Sequence, residues 1–167
     1  MNMYMCKPDY FDVIHKDLNV HMKKEIPVDK VLAGEEYQNL VNTLTEQDVE
    51  IQFVDPKAGC VDQVFAANAA LLHERSNIAV LANFTAEPRR EETQIWSEFL
   101  DEQGFDVRTM SSKFEGQGDA LFSHNCKMLW VGNGFRSEKK AANELQNIFS
   151  DTSVISLTLV NPMFYHL

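Results

Sequence analysis

Positive charge is scarce in this chain of 167 residues, where 15 Lys and Arg stand against 25 Asp and Glu for a formal net charge of −10 at pH 7. Binding to nucleic-acid phosphates draws on clustered Lys and Arg, so this balance argues against a nucleic-acid partner and favours a small cationic one. Cysteine is scarce too. Cys6, Cys60 and Cys126 are odd in number and lack CxxC spacing, which fits reduced thiols in the cytoplasm better than a disulfide framework or a zinc site. No apolar run approaches membrane-spanning length, and the opening MNMYMCKPDYF has neither a basic stretch before an apolar core nor a small-residue cleavage site. Neither a membrane contact nor a signal peptide is expected. The histidines, His15, His21, His73, His124 and His166, show no HExxH or other metal-ligand spacing, so we expect no metal and no cofactor. The GNG at 132–134 lacks the third glycine of a dinucleotide-binding turn, which sets that reading aside. No low-complexity segment or flexible linker divides the chain.

What is present is the composition of an ordinary globular protein, 44% hydrophobic and 24% charged. Three amphipathic helices are expected, each followed by a strand. The first carries Tyr37, Leu40, Val41 and Leu44 on one face ahead of VEIQFV at 49–54. The second spans about 91–103, with Ile95, Trp96, Phe99 and Leu100 together, and stops at Gly104, a natural C-terminal cap. The third, SEKKAANELQNIF, starts with Ser137 as its N-cap and groups Leu145, Ile148 and Phe149 before SVISLTLV. Paired strand candidates precede the last two helices, QVFAANAALL with NIAVLANF and DALFSH with CKMLWVG. The recurring unit, strand-strand-helix-strand, predicts an α/β architecture of modules at about 1–60, 61–110 and 111–167, the first a less regular copy. NPMFYHL, with apolar Met163, Phe164 and Leu167, follows the last strand without resembling a cap. Truncation of a longer modular fold is therefore expected, with self-association through open module edges.

Several polar residues stand in unusual places. FEGQGDALF sets Glu115 and Asp119 around two glycines, either as a ligand-approaching loop or as a polar turn opening a hairpin. Arg136 follows a glycine pair near a helix start, where it could hold a carboxylate or be structurally paired. Asn68 interrupts an apolar strand candidate, where an amide needs partners. His166, in the aromatic context MFYH, could act as an acid or base near neutral pH or simply pack. The three cysteines match no nucleophile signature and are read as structural.

In order along the chain, MCKPDYF, VDQVFAANAALL, FEGQGDALF, LWVGNGFRSE and SLTLVNPMFYHL resemble the N-terminal motifs of dimethylargininase-like and amidinotransferase-like proteins of the guanidine-modifying superfamily. That resemblance covers nearly the whole chain. It implies a partial pentein propeller holding about three of five ββαβ modules. It also implies attack of a cysteine thiolate on a guanidinium carbon to give a covalent thiouronium, then hydrolysis or transfer to an amine. By the same match His166 is the general acid and base and Glu115 holds the substrate cation. Asp119 orients the loop or contacts substrate, and Arg136 holds the amino-acid carboxylate. Asp62, Asn19 and Arg89 complete the expected substrate-binding set.

Two positions depart from the pattern. Asn68 stands where deiminases and dimethylargininases carry an aspartate, a feature resembling arginine dihydrolases, and NFTAEPRREE lacks some expected basic residues. None of the three cysteines matches the nucleophile. The expectation is a fragment of a hydrolase acting on arginine or a related guanidine, of deiminase, dimethylargininase or dihydrolase type. An amidinotransferase or a noncatalytic arginine-binding protein of the same fold are the alternatives.

Overall fold

A computed structural model describes residues 2–14, 19–23, 25–123 and 125–167. His15 and His124 lie outside the described residues. The chain divides into two compact units, Met1–Ala66 and Ala67–Leu167.

In the first unit, strands β1 (Asn2–Cys6) and β2 (Glu50–Val54) pair in parallel, from Asn2 opposite Glu50 to Cys6 opposite Val54. Parallel neighbours need a crossover, which is helix α1 (Lys30–Glu46). Asp29 caps it, its side chain accepting from the N–H groups of Val31 and Leu32 at 3.0 Å each. After β2 the buried Gln63 holds the chain in a loop, donating to the Asp55 carbonyl at 3.0 Å and accepting from the Lys57 N–H at 2.8 Å.

The second unit holds the strands β3 (Ala70–His73) and β4 (Ile78–Leu81), helix α2 (Glu92–Glu102), strand β5 (Asp106–Arg108) and the single turn α3 (Gly116–Asp119). Strands β6 (Ala120–Phe122) and β7 (Met128–Asn133), helix α4 (Ala141–Ile148) and strand β8 (Ser153–Thr158) complete it. Two three-stranded sheets result, β3-β4-β5 and β6-β7-β8. Each joins its first two strands antiparallel through a short turn and its last two in parallel across a helix. This is an α/β fold of strand-strand-helix-strand units. Helix α2 stops where Gly104 adopts φ +84°, with the Phe105 N–H returning to the Leu100 carbonyl at 3.1 Å. Leu71, Val80, Phe114, Leu129, Val131 and Leu145 are at the centre of the core. No helix among the described residues is long and apolar enough to cross a membrane.

Two local expectations need correction. QVFAANAALL is not one strand: Ala66–Asn68 is a 3-10 turn and only Ala70–His73 is extended. Asn68 therefore precedes the strand, and no ladder hydrogen bond is lost to its amide. Nor does Ser137 cap the third helix. Helix α4 begins at Ala141 without a side-chain cap, because the Ser137 hydroxyl is already held inside the protein.

Candidate active site

The EGQGD sequence folds into α3, with Glu115 at the position before its first residue and Asp119 at its last. Only glycine permits this turn. A Cβ on Gly116, whose φ is +55°, would lie 2.7 Å from the Asn68 carbonyl oxygen and 2.8 Å from that of Ala67. One on Gly118 would lie 2.3 Å from the Asn68 amide nitrogen and 3.3 Å from His166 Nδ1. The two glycines thus bring two carboxylates against the 3-10 turn that carries Asn68. His166 arrives from the far end of the unit, where the next N–H, of Leu167, donates to the Gly118 carbonyl at 3.1 Å. Arg136 is delivered by the turn after β7. Gly134, at φ +132°, donates to the Ser137 carbonyl at 3.0 Å, and the Thr85 hydroxyl donates to the Arg136 carbonyl at 2.6 Å.

The side chains meet in one cluster. His166 Nδ1 lies 2.7 Å from Asp119 Oδ1, and its Nε2 lies 3.2 Å from the Asn68 amide nitrogen and 3.8 Å from Glu115 Oε2. Ser137 Oγ donates to Asp119 Oδ2 at 2.5 Å and accepts from the Glu115 backbone N–H at 3.0 Å. Arg136 Nη1 faces both Glu115 oxygens, at 3.3 and 3.4 Å, while its guanidinium lies 5.0 Å above the Tyr165 ring. Tyr165 in turn packs against the His166 ring at 4.7 Å.

Glu115 and Asp119 are 0% and 1% exposed, yet they are satisfied very differently. Asp119 has short partners on both oxygens. Among the described residues Glu115 has one guanidinium nitrogen beyond 3.2 Å and an imidazole farther off, although an ionised carboxylate has about four acceptor sites. A buried charge so loosely paired is costly, and two carboxylates against one guanidinium leave the cluster negative while the imidazole is neutral. A planar cation with several N–H donors is the group that would complete it.

Of the expected site residues, Glu115, Asp119, Asn68, Arg136 and His166 come together. Arg89 is placed otherwise: 5% exposed, it lies 4.3 Å over the Phe84 ring and forks onto Glu92, Nε to Oε1 at 2.9 Å and Nη2 to Oε2 at 2.7 Å. Both arms of its fork are engaged. Asn19 and Asp62 belong to the first unit, where the Asn19 side chain accepts from the His21 N–H at 2.9 Å to close a local turn, and the Asp62 carbonyl accepts from the Phe65 N–H at 3.0 Å. Sequence reasoning missed Ser137 and Tyr165. Ser137 was masked by its aptness as a helix cap; Tyr165 is adjacent to His166, but its place over Arg136 arises only on folding. Cys126 sits in the β6–β7 turn, at the end of the hairpin away from Asp119 and Arg136, several residues of about 3.3 Å each from the cluster.

A ββαβ fold presenting two buried carboxylates, an imidazole, an amide and an arginine from two turns, one loop and the segment after β8 fits the guanidine-modifying pentein class. Residues 8–166 match the family described as N,N dimethylarginine dimethylhydrolase, eukaryotic, and the chain belongs to that family. It is 35% identical, over its full length, to the bifunctional arginine dihydrolase/ornithine cyclodeaminase ArgZ of Synechocystis sp., and covers 23% of that protein. It is 29% identical, over 98% of its length, to the N(G),N(G)-dimethylarginine dimethylaminohydrolase of Mycobacterium tuberculosis, covering 53% of it. Two solved structures of the ArgZ N-terminal domain superpose with a TM-score of 0.90 at 34% identity, covering 99% of this chain and 60% of theirs. One is a cysteine-to-serine variant bound to substrate, the other an asparagine-to-serine variant covalently bound to a reaction intermediate. The chain therefore spans less than two thirds of these relatives.

Proposed function

We propose that this chain supplies the cation-holding and acid–base half of an enzyme that hydrolyses the guanidinium of arginine or a close relative. The observation that carries the reading is the fully buried, loosely paired carboxylate of Glu115 beside Nε2 of His166. A substrate guanidinium donating to Glu115 would present its central carbon in one orientation, with Arg136 within reach of the amino-acid carboxylate.

Attack of a thiolate on that carbon forms a C–S bond. The departing amine takes a proton from His166 Nε2 as its C–N bond breaks, leaving the thiouronium. His166 then accepts a proton from water, whose oxygen attacks the same carbon, and the thiolate leaves as a ureido group forms; a second cycle of attack and hydrolysis on that group, with loss of ammonia and carbon dioxide, would give ornithine. We assign the thiol to the part of the relatives that these 167 residues do not span, since Cys126 lies at the wrong end of its hairpin. Residues about 1–60, 61–110 and 111–167 would be three of five modules, with the remainder closing the site and covering open edges that otherwise favour self-association. A cytoplasmic location fits the reduced thiols.

Arginine dihydrolysis ranks ahead of simple deimination within this reading. Asn68 offers His166 a neutral amide where a second carboxylate would grip the cation, and ArgZ is the more similar relative by identity. The test is mass-resolved product analysis, using the longest protein that carries this sequence, with arginine and N-methylated arginines. Ornithine, one equivalent of carbon dioxide and two of ammonia are expected from arginine, and His166→Ala should slow turnover roughly 10²- to 10⁴-fold. Citrulline alone would indicate a deiminase. Amidine recovered on an added amine would indicate an amidinotransferase, and binding of arginine without turnover a noncatalytic arginine-binding protein.

A further inference from the structure

We propose that Ser137 is a positioning residue that, acting through Asp119, holds the proton of neutral His166 on Nδ1 and leaves Nε2 unprotonated, as a base requires; this rests on the acid–base role proposed for His166. The proton directions follow from one backbone donor that cannot reverse and from an ionised carboxylate that cannot donate, and the orientation of the Asn68 amide agrees with them. At one end the backbone N–H of Glu115 donates to Ser137 Oγ at 3.0 Å, so the single hydroxyl proton must point elsewhere, and Asp119 Oδ2 lies 2.5 Å away. At the other end the Asn68 amide nitrogen faces Nε2 at 3.2 Å and requires a lone pair there. Between them, an ionised Asp119 only accepts, so Nδ1, 2.7 Å from Oδ1, carries the hydrogen.

Asp119 depends on this arrangement because it is 1% exposed and its hydrogen-bond partners among the described residues are Ser137 and His166. Without the hydroxyl, Oδ2 is a buried acceptor with no donor. The carboxylate must then rotate, and Oδ1 leaves its line to the ring. Ser137 itself is held firmly. Its carbonyl accepts from the Gly134 N–H at 3.0 Å, and a Cβ on Gly134 would meet the Leu159 carbonyl oxygen at 3.0 Å, so the turn has little room to shift. These engagements also explain why a serine so well placed in sequence to cap α4 leaves that helix uncapped.

The test is the ring ¹⁵N spectrum of His166 in this chain, recorded above its titration, for the wild type, Ser137→Ala and Ser137→Thr. The wild type and Ser137→Thr should show the Nδ1–H form in excess, and Ser137→Ala should move from roughly ten to one towards parity, the scale set by losing one hydrogen bond to a charged group. An unchanged ring spectrum in a folded Ser137→Ala protein overturns the proposal, as does failure of Ser137→Thr to restore the wild-type pattern. Should the alanine variant not fold, Ser137→Cys, a weak donor, carries the same measurement and the same two outcomes. The spectrum needs neither substrate nor turnover. A tautomer shift in a protein that leaves arginine untouched sinks the proposed reaction and upholds the role of Ser137.

Discussion

Arg89 and Arg136 each lie over an aromatic ring and each face a buried glutamate, but the two pairs are closed to different degrees. The Arg89 fork meets Glu92 with two parallel contacts of 2.9 and 2.7 Å, both side chains at 5% exposure or less. Arg136 offers Glu115 a single nitrogen at 3.3–3.4 Å and keeps 13% of its side chain exposed. A bidentate, desolvated pair ties the 3-10 turn Glu87–Arg89 to the first residue of α2 and leaves little acceptor capacity for anything else. The looser pair retains that capacity. The same two residue types therefore make a structural lock in one place and a receptive site in another, and the difference lies in geometry alone.

The largest expected effect would break the closed pair. Arg89→Ala removes the bidentate partner of the buried Glu92 and should lower unfolding stability by about 3–5 kcal/mol in urea titrations. Arg136→Ala should cost clearly less. Equal losses for the two variants would erase the distinction between them.

Next in size is the loss of ligand affinity at the open pair. Glu115→Gln should weaken arginine binding by roughly 1.5–3 kcal/mol, read by calorimetry on the longest protein that carries the sequence. Stability should be unchanged or raised, because an underpaired buried charge is removed. A fall in stability as large as that of Arg89→Ala would mean that Glu115 is a structural partner after all.

The open pair also depends on the glycine turn beneath it. Gly116→Ala combines a φ of +55° with backbone atoms at 2.7–2.8 Å and should cost about 1–3 kcal/mol while displacing Asn68. Gly104→Ala, strained at φ +84° but with nothing within 4 Å, should cost about 1 kcal/mol or less and leave binding intact. Similar losses at both positions would show that the close approach at Gly116 is unimportant.

A third carboxylate gives the smallest effect. Burial pushes Glu144 up, but hydrogen bonds from the hydroxyl and backbone N–H groups of Ser112 and Ser111 outweigh it and hold the carboxyl below its ordinary value of 4.5. A depressed carboxylate stabilises the fold above its unfolded value, and that contribution is lost as pH falls through the folded one. The stability gap between wild type and Glu144→Gln should therefore be about 1 kcal/mol or less at pH 6 and shrink below pH 4.5. A gap that widens in acid would reverse the assignment.

Much of this was legible without coordinates. Helical and strand periodicities, the stop at Gly104 and the recurrence of strand-strand-helix-strand depend on neighbours a few residues apart, and the physics that sets them is equally local. The ordered motifs likewise singled out Glu115, Asp119, Asn68, Arg136 and His166 as chemical groups. Their roles were decided only by tertiary structure. Whether an arginine forks onto Glu92 or half-faces Glu115, whether Asn68 lies in a strand or a 3-10 turn, and whether Ser137 caps a helix or steers a carboxylate all depend on partners up to 98 residues away. Residue type fixes what a side chain can donate or accept; distance, burial and the glycines that allow close approach decide which partner it meets.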